Sequence, residues 1–261
     1  MRIVILGCGG SAGVPMLGGR DGTGEWGLCD PAESRNRRSR SSIMIEGDDR
    51  RRLLVDTGPD LREQLLRCGI GHIDALLYSH AHADHVAGLD EVRSLNRMID
   101  RPIEAFATRP VLDEIAHRFG YAFRPWSPPS FYRPVLIQRE IEVGRTVLIE
   151  GLALRLFNQV HGYSNTLGLR VGSFAYSTDV VRLEQQALDV LQGVDTWIVD
   201  CFQRAAHPAH AHLELVREWS KRLGIRRTIL THMGTDMDWA WMVQNLPPGL
   251  EAAFDGMQVL V

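Results

Sequence analysis

Apolar residues in this chain fall into short runs of two periodicities, separated by glycine, proline and charged clusters. Continuous apolar runs predict buried strands, and i, i+3, i+4 spacing predicts helices with one apolar face. Residues 2–6 make the first strand. Residues 42–46 and 52–55 flank Gly47-Asp48-Asp49, a turn-forming triplet that predicts a hairpin. Residues 60–68 place Leu61, Leu65 and Leu66 on one helix face, and 73–78 is a buried strand by its unbroken apolar run. A short helix is expected over 86–96 and a strand over 103–107. Another helix spans 110–119, opened by proline in its first turn.

Residues 121–132, crowded with aromatics and proline, are too irregular for a regular element and predict a loop crossing the surface. Beyond Pro134 the pattern is strand-dense, with strands at 135–138, 146–149, 152–159, 166–171 and 173–177. Strands at 196–200 and 227–231 then alternate with helices near 184–191 and 213–223, and a last short helix and strand follow. Two β-rich halves, each followed by helices, predict two face-to-face sheets with helices outside. This is a four-layer αββα sandwich of the α+β class, one domain over residues 1–261. The hairpins argue against a purely parallel doubly wound sheet.

Composition narrows the picture only a little. At 44% hydrophobic and 23% charged the chain is globular rather than disordered. A formal charge of −3 gives no basic excess, so no stable nucleic-acid partner is expected. The apolar run from Ile3 to Leu6 is too short for a signal segment or a membrane span, so no membrane partner is expected. Cys8, Cys29, Cys68 and Cys201 are widely spaced without a CxxC, which suggests reduced thiols and a cytoplasmic location.

The chemistry concentrates in Ser79-His80-Ala81-His82-Ala83-Asp84-His85, directly after a buried strand. In a strand-end turn His80 and His82 can project to one side and share an ion. Asp84 and His85 open the following helix, where a carboxylate is favoured. Imidazole with carboxylate suits zinc, manganese or iron rather than calcium. One turn cannot complete such a site. Three further apolar runs end in a potential ligand, namely His161, Asp179 and His232, so all of them could converge on one rim of the sandwich.

With these residues in that order, the chain resembles the metallo-β-lactamase-fold hydrolases. The resemblance implies that His80, His82 and His161 hold one divalent ion and that Asp84, His85 and His232 hold a second. Asp179 would bridge the two, and zinc or manganese is the expected metal. The stretch from Leu230 through Met242, with Leu246-Pro-Pro-Gly-Leu250 and Phe254-Asp-Gly-Met257, is similar to phosphodiesterases related to the phosphoribosyl cyclic phosphodiesterase of the carbon–phosphorus lyase pathway. Gly7-Cys-Gly-Gly-Ser-Ala-Gly-Val-Pro15 and the His-bearing loop after Asp200-Cys201 share that likeness. The resemblance implies a small cyclic phosphate or nucleotide-like diester as substrate, cleaved by a metal-bridging hydroxide. It would also include a structural zinc on a cysteine cluster in the early loop. Only Cys29 stands there, and one thiolate cannot close a tetrahedral site, so no such zinc is expected.

His210 is the best match for a histidine that assists phosphoryl chemistry, with His212 and His207 as rivals. His210 and Asp84 are thus the candidate catalytic residues, and His210, His212 and Arg93 the candidates for substrate contact. Asp56 closes an apolar strand and is either a partner to a ligand imidazole or a turn former. The glycine spacing at Gly7–Gly13 is GxGxxxG followed by Val14-Pro15, which argues against a dinucleotide fingerprint. The arginine run from Arg35 to Arg40 reads as solvated, with phosphate contact as the sharper alternative. The segment carrying Trp126, Phe131 and Tyr132 either overhangs the cleft, contributes to a homodimer or covers a satellite core. A thioesterase or lactonase on the same metal core, and a ribonuclease Z-like RNA processor, are the rival activities.

Overall fold

The computed structural model describes residues 1–261. The first half builds a mixed seven-stranded sheet from β1 (Arg2–Gly7), β2 (Ser42–Glu46), β3 (Arg52–Val55), β4 (Ala75–Leu77), β5 (Ile103–Ala107) and β6 (Leu136–Glu140). The seventh strand is β14 (Gln258–Leu260), beside β1. The second sheet runs β7 (Thr146–Ile149), β8 (Leu152–His161), β9 (Ser164–Val171), β10 (Phe174–Ser177), β11 (Thr196–Asp200), β12 (Arg227–Thr231) and β13 (Leu250–Ala252), and is also seven-stranded. Hairpin strands pair antiparallel, whereas β3 to β6 and β10 to β13 pair parallel, because helical crossovers join most of them.

Alternation along β1 shows how the layers form. Ile3 and Ile5 enter the core shared by the two sheets, while Val4 and Leu6 enter a second core on the outer face of the first sheet. That outer core is covered by α1 (Leu61–Arg67), α3 (Val92–Ile99) and α4 (Arg109–Arg118). The second sheet is covered by α5 (Gln185–Leu191) and α6 (Leu213–Leu223), and α7 (Trp239–Asn245) packs beside β13. The αββα sandwich expected from the sequence is the observed fold.

Three local departures have physical reasons. The helix expected over 86–96 divides into α2 (Ala83–Val86), a 3-10 turn at Leu89–Glu91, and α3. The break falls at Gly88, whose backbone lies so close to Gly58 that a Cβ would sit 2.0 Å from the Gly58 carbonyl oxygen. The closing segment contributes two strands rather than one, and the second crosses to the other sheet, so the chain's two ends pair as β1 and β14. The loop expected at 121–132 opens on a 3-10 turn at Gly120–Phe123 rather than wholly irregular chain, and beyond it Trp126 stacks on Phe131, with ring centroids 4.0 Å apart, while Arg97 of α3 donates to the Phe131 carbonyl.

Candidate metal centre

Seven donors gather where four strands end. His80 follows β4, and His82, Asp84 and His85 lie in and beside the short α2. His161 ends β8, Asp179 follows β10, and His232 follows β12. They form two four-residue groups whose ligand atoms lie within 4.8 Å of one another: His80, His82, His161 and Asp179, then Asp84, His85, Asp179 and His232. Asp179 belongs to both. Its Oδ2 lies 3.8 Å from His80 Nε2 and 3.7 Å from His161 Nε2. Its Oδ1 lies 3.1 Å from His85 Nε2 and 3.3 Å from His232 Nε2.

The backbone is bent to make this convergence. Asp56, Asp179 and His232 all have positive φ, at 66°, 52° and 56°. Each such non-glycine residue stores roughly 1–3 kcal/mol of strain that the surroundings must hold. Thr57 clamps α2 by accepting from Gly88 N–H and donating its own N–H to the His85 carbonyl, both at 2.8 Å. Ser79 accepts from Leu167 N–H at 3.0 Å and so ties the two sheets together beside His80.

Hydrogen bonds at the far side of three of the rings fix which nitrogen faces the centre. His85 Nδ1 bonds Asp56 Oδ2 at 2.7 Å, His161 Nδ1 bonds the Ala209 carbonyl at 2.8 Å, and His80 Nδ1 meets Ser79 Oγ at 3.0 Å. Asp56, fully buried, also accepts from Ser79 N–H and Oγ–H, and so it is the hydrogen-bond partner of an imidazole in this cluster rather than only a turn former. The Nε2 atoms of His80, His85 and His232 are buried without a hydrogen-bond partner. Ring nitrogens that face shared carboxylates with no hydrogen-bond partner fit a cation, because an unpaired buried polar atom is otherwise costly.

Electrostatics agree. Burial pushes the pKa of His80 well down, and that of His161 down as well. Burial also opposes charge on His85, yet the Asp179 and Asp56 carboxylates lift it well above the usual histidine value. His232 is raised to about 9, against its burial, chiefly by Asp179 and Asp84. Burial works against ionisation of Asp179 and Asp84 too, but the neighbouring His232 and His85 hold both below the carboxylate range. Protons on His85 and His232 thus balance charge that a divalent cation would balance instead.

A third group abuts the second. Asp200, at the end of β11, accepts from His210 Nδ1 at 2.9 Å and from Val180 N–H at 2.9 Å, both through Oδ2. The His210 ring stacks on His232 with centroids 4.7 Å apart, and Phe202 packs against both rings. His207 Nδ1 accepts from the Ala209 and His210 amides and so shapes this loop. His212 takes the N-cap position of α6, outside this ring cluster. Arg93 is exposed on α3, and its guanidinium donates to the Tyr132 carbonyl. The glycine-rich loop closes the other side: Gly10 donates to Met233 and abuts Phe202. The arginine run divides by environment. Arg35 and Arg40 pair with Glu33 and Asp60, and Arg37 stacks on Trp26. Arg38 is buried, donating to the Gly234 and Met237 carbonyls with Cys29 Sγ 3.9 Å away. Asp200 entered the sequence reading only through the Asp200-Cys201 likeness, and Arg38 only as one of the arginine run, since their partners lie on distant segments.

No helix is long and apolar enough to cross a membrane. Residues 51–233 match the model of the β-lactamase superfamily domain. A crystal structure described as a new diphosphatase from the PhnP family superposes with a TM-score of 0.89 at 29% identity, covering 100% of this chain and 97% of that one. Zinc-bound PqqB from Methylobacterium extorquens shares the fold, with a TM-score of 0.77 at 20% identity over the full length of both chains. Among curated proteins, an octanoyltransferase of Porphyromonas gingivalis is 28% identical over all of this chain and 52% of its own length. A coenzyme PQQ synthesis protein B of Methylobacterium nodulans is 33% identical over 60% of this chain and 52% of its own length. The chain therefore spans about half the length of these curated relatives. With the sandwich, the rim of imidazoles and carboxylates and the matched family model together, the chain belongs to the β-lactamase superfamily and has the metallo-β-lactamase fold.

Proposed function

We propose that this protein is a phosphodiesterase that hydrolyses a small cyclic phosphate or nucleotide-like diester with two divalent ions, zinc or manganese. The observation that carries the reading is Asp179, whose two oxygens face two separate imidazole sets. His80, His82 and His161 would hold one ion, Asp84, His85 and His232 the other, with Asp179 between them. Bound there, such a pair supplies Lewis acidity to a phosphoryl group and activates water near neutral pH.

The chain's own residues supply the rest. Asp200 accepts a hydrogen bond from His210 Nδ1 and so holds that ring in one orientation, with Nε2 free to pass a proton to the leaving oxygen of a diester. An alkoxide leaving group needs that proton, whereas a thiolate does not, and this favours a phosphoester over a thioester. Phe202 keeps one side of the His210 ring dry. The likeness to the PhnP-family diphosphatase supports a phosphorylated substrate.

The test is hydrolysis of a panel of phosphodiesters, lactones and thioesters by metal-quantified protein, with Asp179→Asn alongside. We expect metal-dependent diester cleavage, reduced at least ~100-fold in the variant together with its metal content. Turnover of lactone or thioester alone overturns the reading.

A further inference from the structure

We propose that His207 is a positioning residue of this site, its Nδ1 gathering the two amides that set Ala209 against His161 and His210 against Asp200. The His210 half rests on the phosphodiesterase reading, and the His161 half on the metal centre alone.

The loop between β11 and α6 needs such a device. Its ends are clamped by main chain, with Phe202 N–H donating to the Ala211 carbonyl at 2.9 Å and Leu213 N–H to the Gln203 carbonyl at 3.2 Å. Between these clamps, residues 204–210 make no hydrogen bond to another main-chain group. Side chains order them instead. Gln203 Nε2 donates to the Ala205 and Ala206 carbonyls, and Asp236 accepts from Arg204 N–H at 2.9 Å. Those contacts hold residues 204–206. The remainder depends on His207, whose Nδ1 accepts from Ala209 N–H and from His210 N–H, both at 3.2 Å. Pro208, between them, has no N–H to compete. The His207 ring lies against Phe202, with centroids 5.1 Å apart.

Both contacts that the loop makes with the site leave from the two residues so held. The Ala209 carbonyl accepts from His161 Nδ1 at 2.8 Å, and His210 Nδ1 donates to Asp200 Oδ2 at 2.9 Å. Ala209 is also seated against the end of β8, since a Cβ on Gly162 would lie 3.3 Å from the Ala209 Cβ. Two amide donors require His207 Nδ1 to be unprotonated, which places the proton of the neutral ring on Nε2. A ring engaged in this way with its own backbone serves geometry, and proton transfer is left to His210.

Two substitutions separate the acceptor from the ring. Asparagine places Oδ1 as many bonds from its Cα as histidine places Nδ1, and it accepts from amides two and three residues on. His207→Phe keeps a ring against Phe202 and removes the acceptor. In His207→Phe, amide exchange at Ala209 and His210 should quicken by about tenfold or more. Calorimetric titration of the metal-free protein with zinc should show one ion bound about tenfold or more weakly. With thymidine 5′-(p-nitrophenyl phosphate), kcat should fall by about tenfold or more while KM changes little. His207→Asn should restore all three. Exchange and zinc binding that stay at wild-type values in His207→Phe overturn the proposal. An asparagine variant as impaired as the phenylalanine one overturns it too, because the ring rather than its acceptor would then be what matters. If the wild type cleaves no diester, the phosphodiesterase reading fails by itself, and exchange with zinc binding still decides the positioning role.

Discussion

Asp56 shows how much one buried carboxylate can organise. It accepts three hydrogen bonds, from Ser79 N–H, Ser79 Oγ–H and His85 Nδ1–H, while its own backbone sits at φ 66°. Asparagine tolerates that backbone but offers one acceptor oxygen where two are used. Asp56→Asn should therefore weaken metal binding at the Asp84, His85 and His232 set by roughly 10–100-fold, read by calorimetric titration of the metal-free protein. Asp238 gives a residue-scale effect of another kind. It caps α7 by accepting from Trp241 N–H, and it also binds Asn36 Nδ2 and Asp30 N–H. Burial would raise its pKa, but the Trp241 and Asp30 amides hold it below the usual 3.8. A depressed native pKa contributes stability above the unfolded value, and that stability is lost as pH falls through the native one. Asp238→Asn keeps a capping oxygen without the charge. The stability gap between wild type and variant, from urea unfolding, should thus be full near neutrality and narrow below about pH 4. The histidines were legible because four of the seven donors share one turn. The partners of Arg38, Arg204 and Asp200 were not, because burial and partnering are properties of where distant segments meet.

At the scale of elements, the centre depends on a backbone contact that no side-chain pattern announces. A Cβ on Gly88 would lie 2.0 Å from the Gly58 carbonyl oxygen, and one on Gly58 would lie 2.4 Å from the Asp84 carbonyl oxygen. The turn after β3 and the helix α2 therefore touch main chain to main chain, which sets Asp84 and His85 at the rim. Gly88→Ala should push α2 outward. The expected cost is about 1–3 kcal/mol of stability, with loss of metal at the Asp84 and His85 set before global unfolding, seen by metal analysis against a thermal melt. The continuous helix expected over 86–96 misses this break because its apolar spacing carries across Gly88. Most strands were legible from apolar runs, and their ends extend by a residue or two where pairing continues into polar positions. Ser164 and Asn165 of β9, paired with His161 and Val160, are such a case.

For the whole molecule, the centre joins halves of the fold that are far apart in sequence. Its donors come from both sheets, so a bound cation cross-links them in the native state only. Chelation should lower the melting temperature by on the order of 10 °C if the metal is present at ~1,000 times its dissociation constant. Unchanged melting on chelation would contradict a cation held between the sheets. The sequence by itself determined the layer architecture, because alternating and continuous apolar runs dictate which faces are buried. It also singled out seven candidate donors, because each of them stands in or just beyond a turn that ends an apolar run. Only the tertiary structure decided that Asp179 faces both imidazole sets, that Asp200 joins His210 to the centre, and that Arg38 is buried. Those facts depend on distances between segments up to two hundred residues apart in sequence, and such distances are fixed by packing rather than by local pattern.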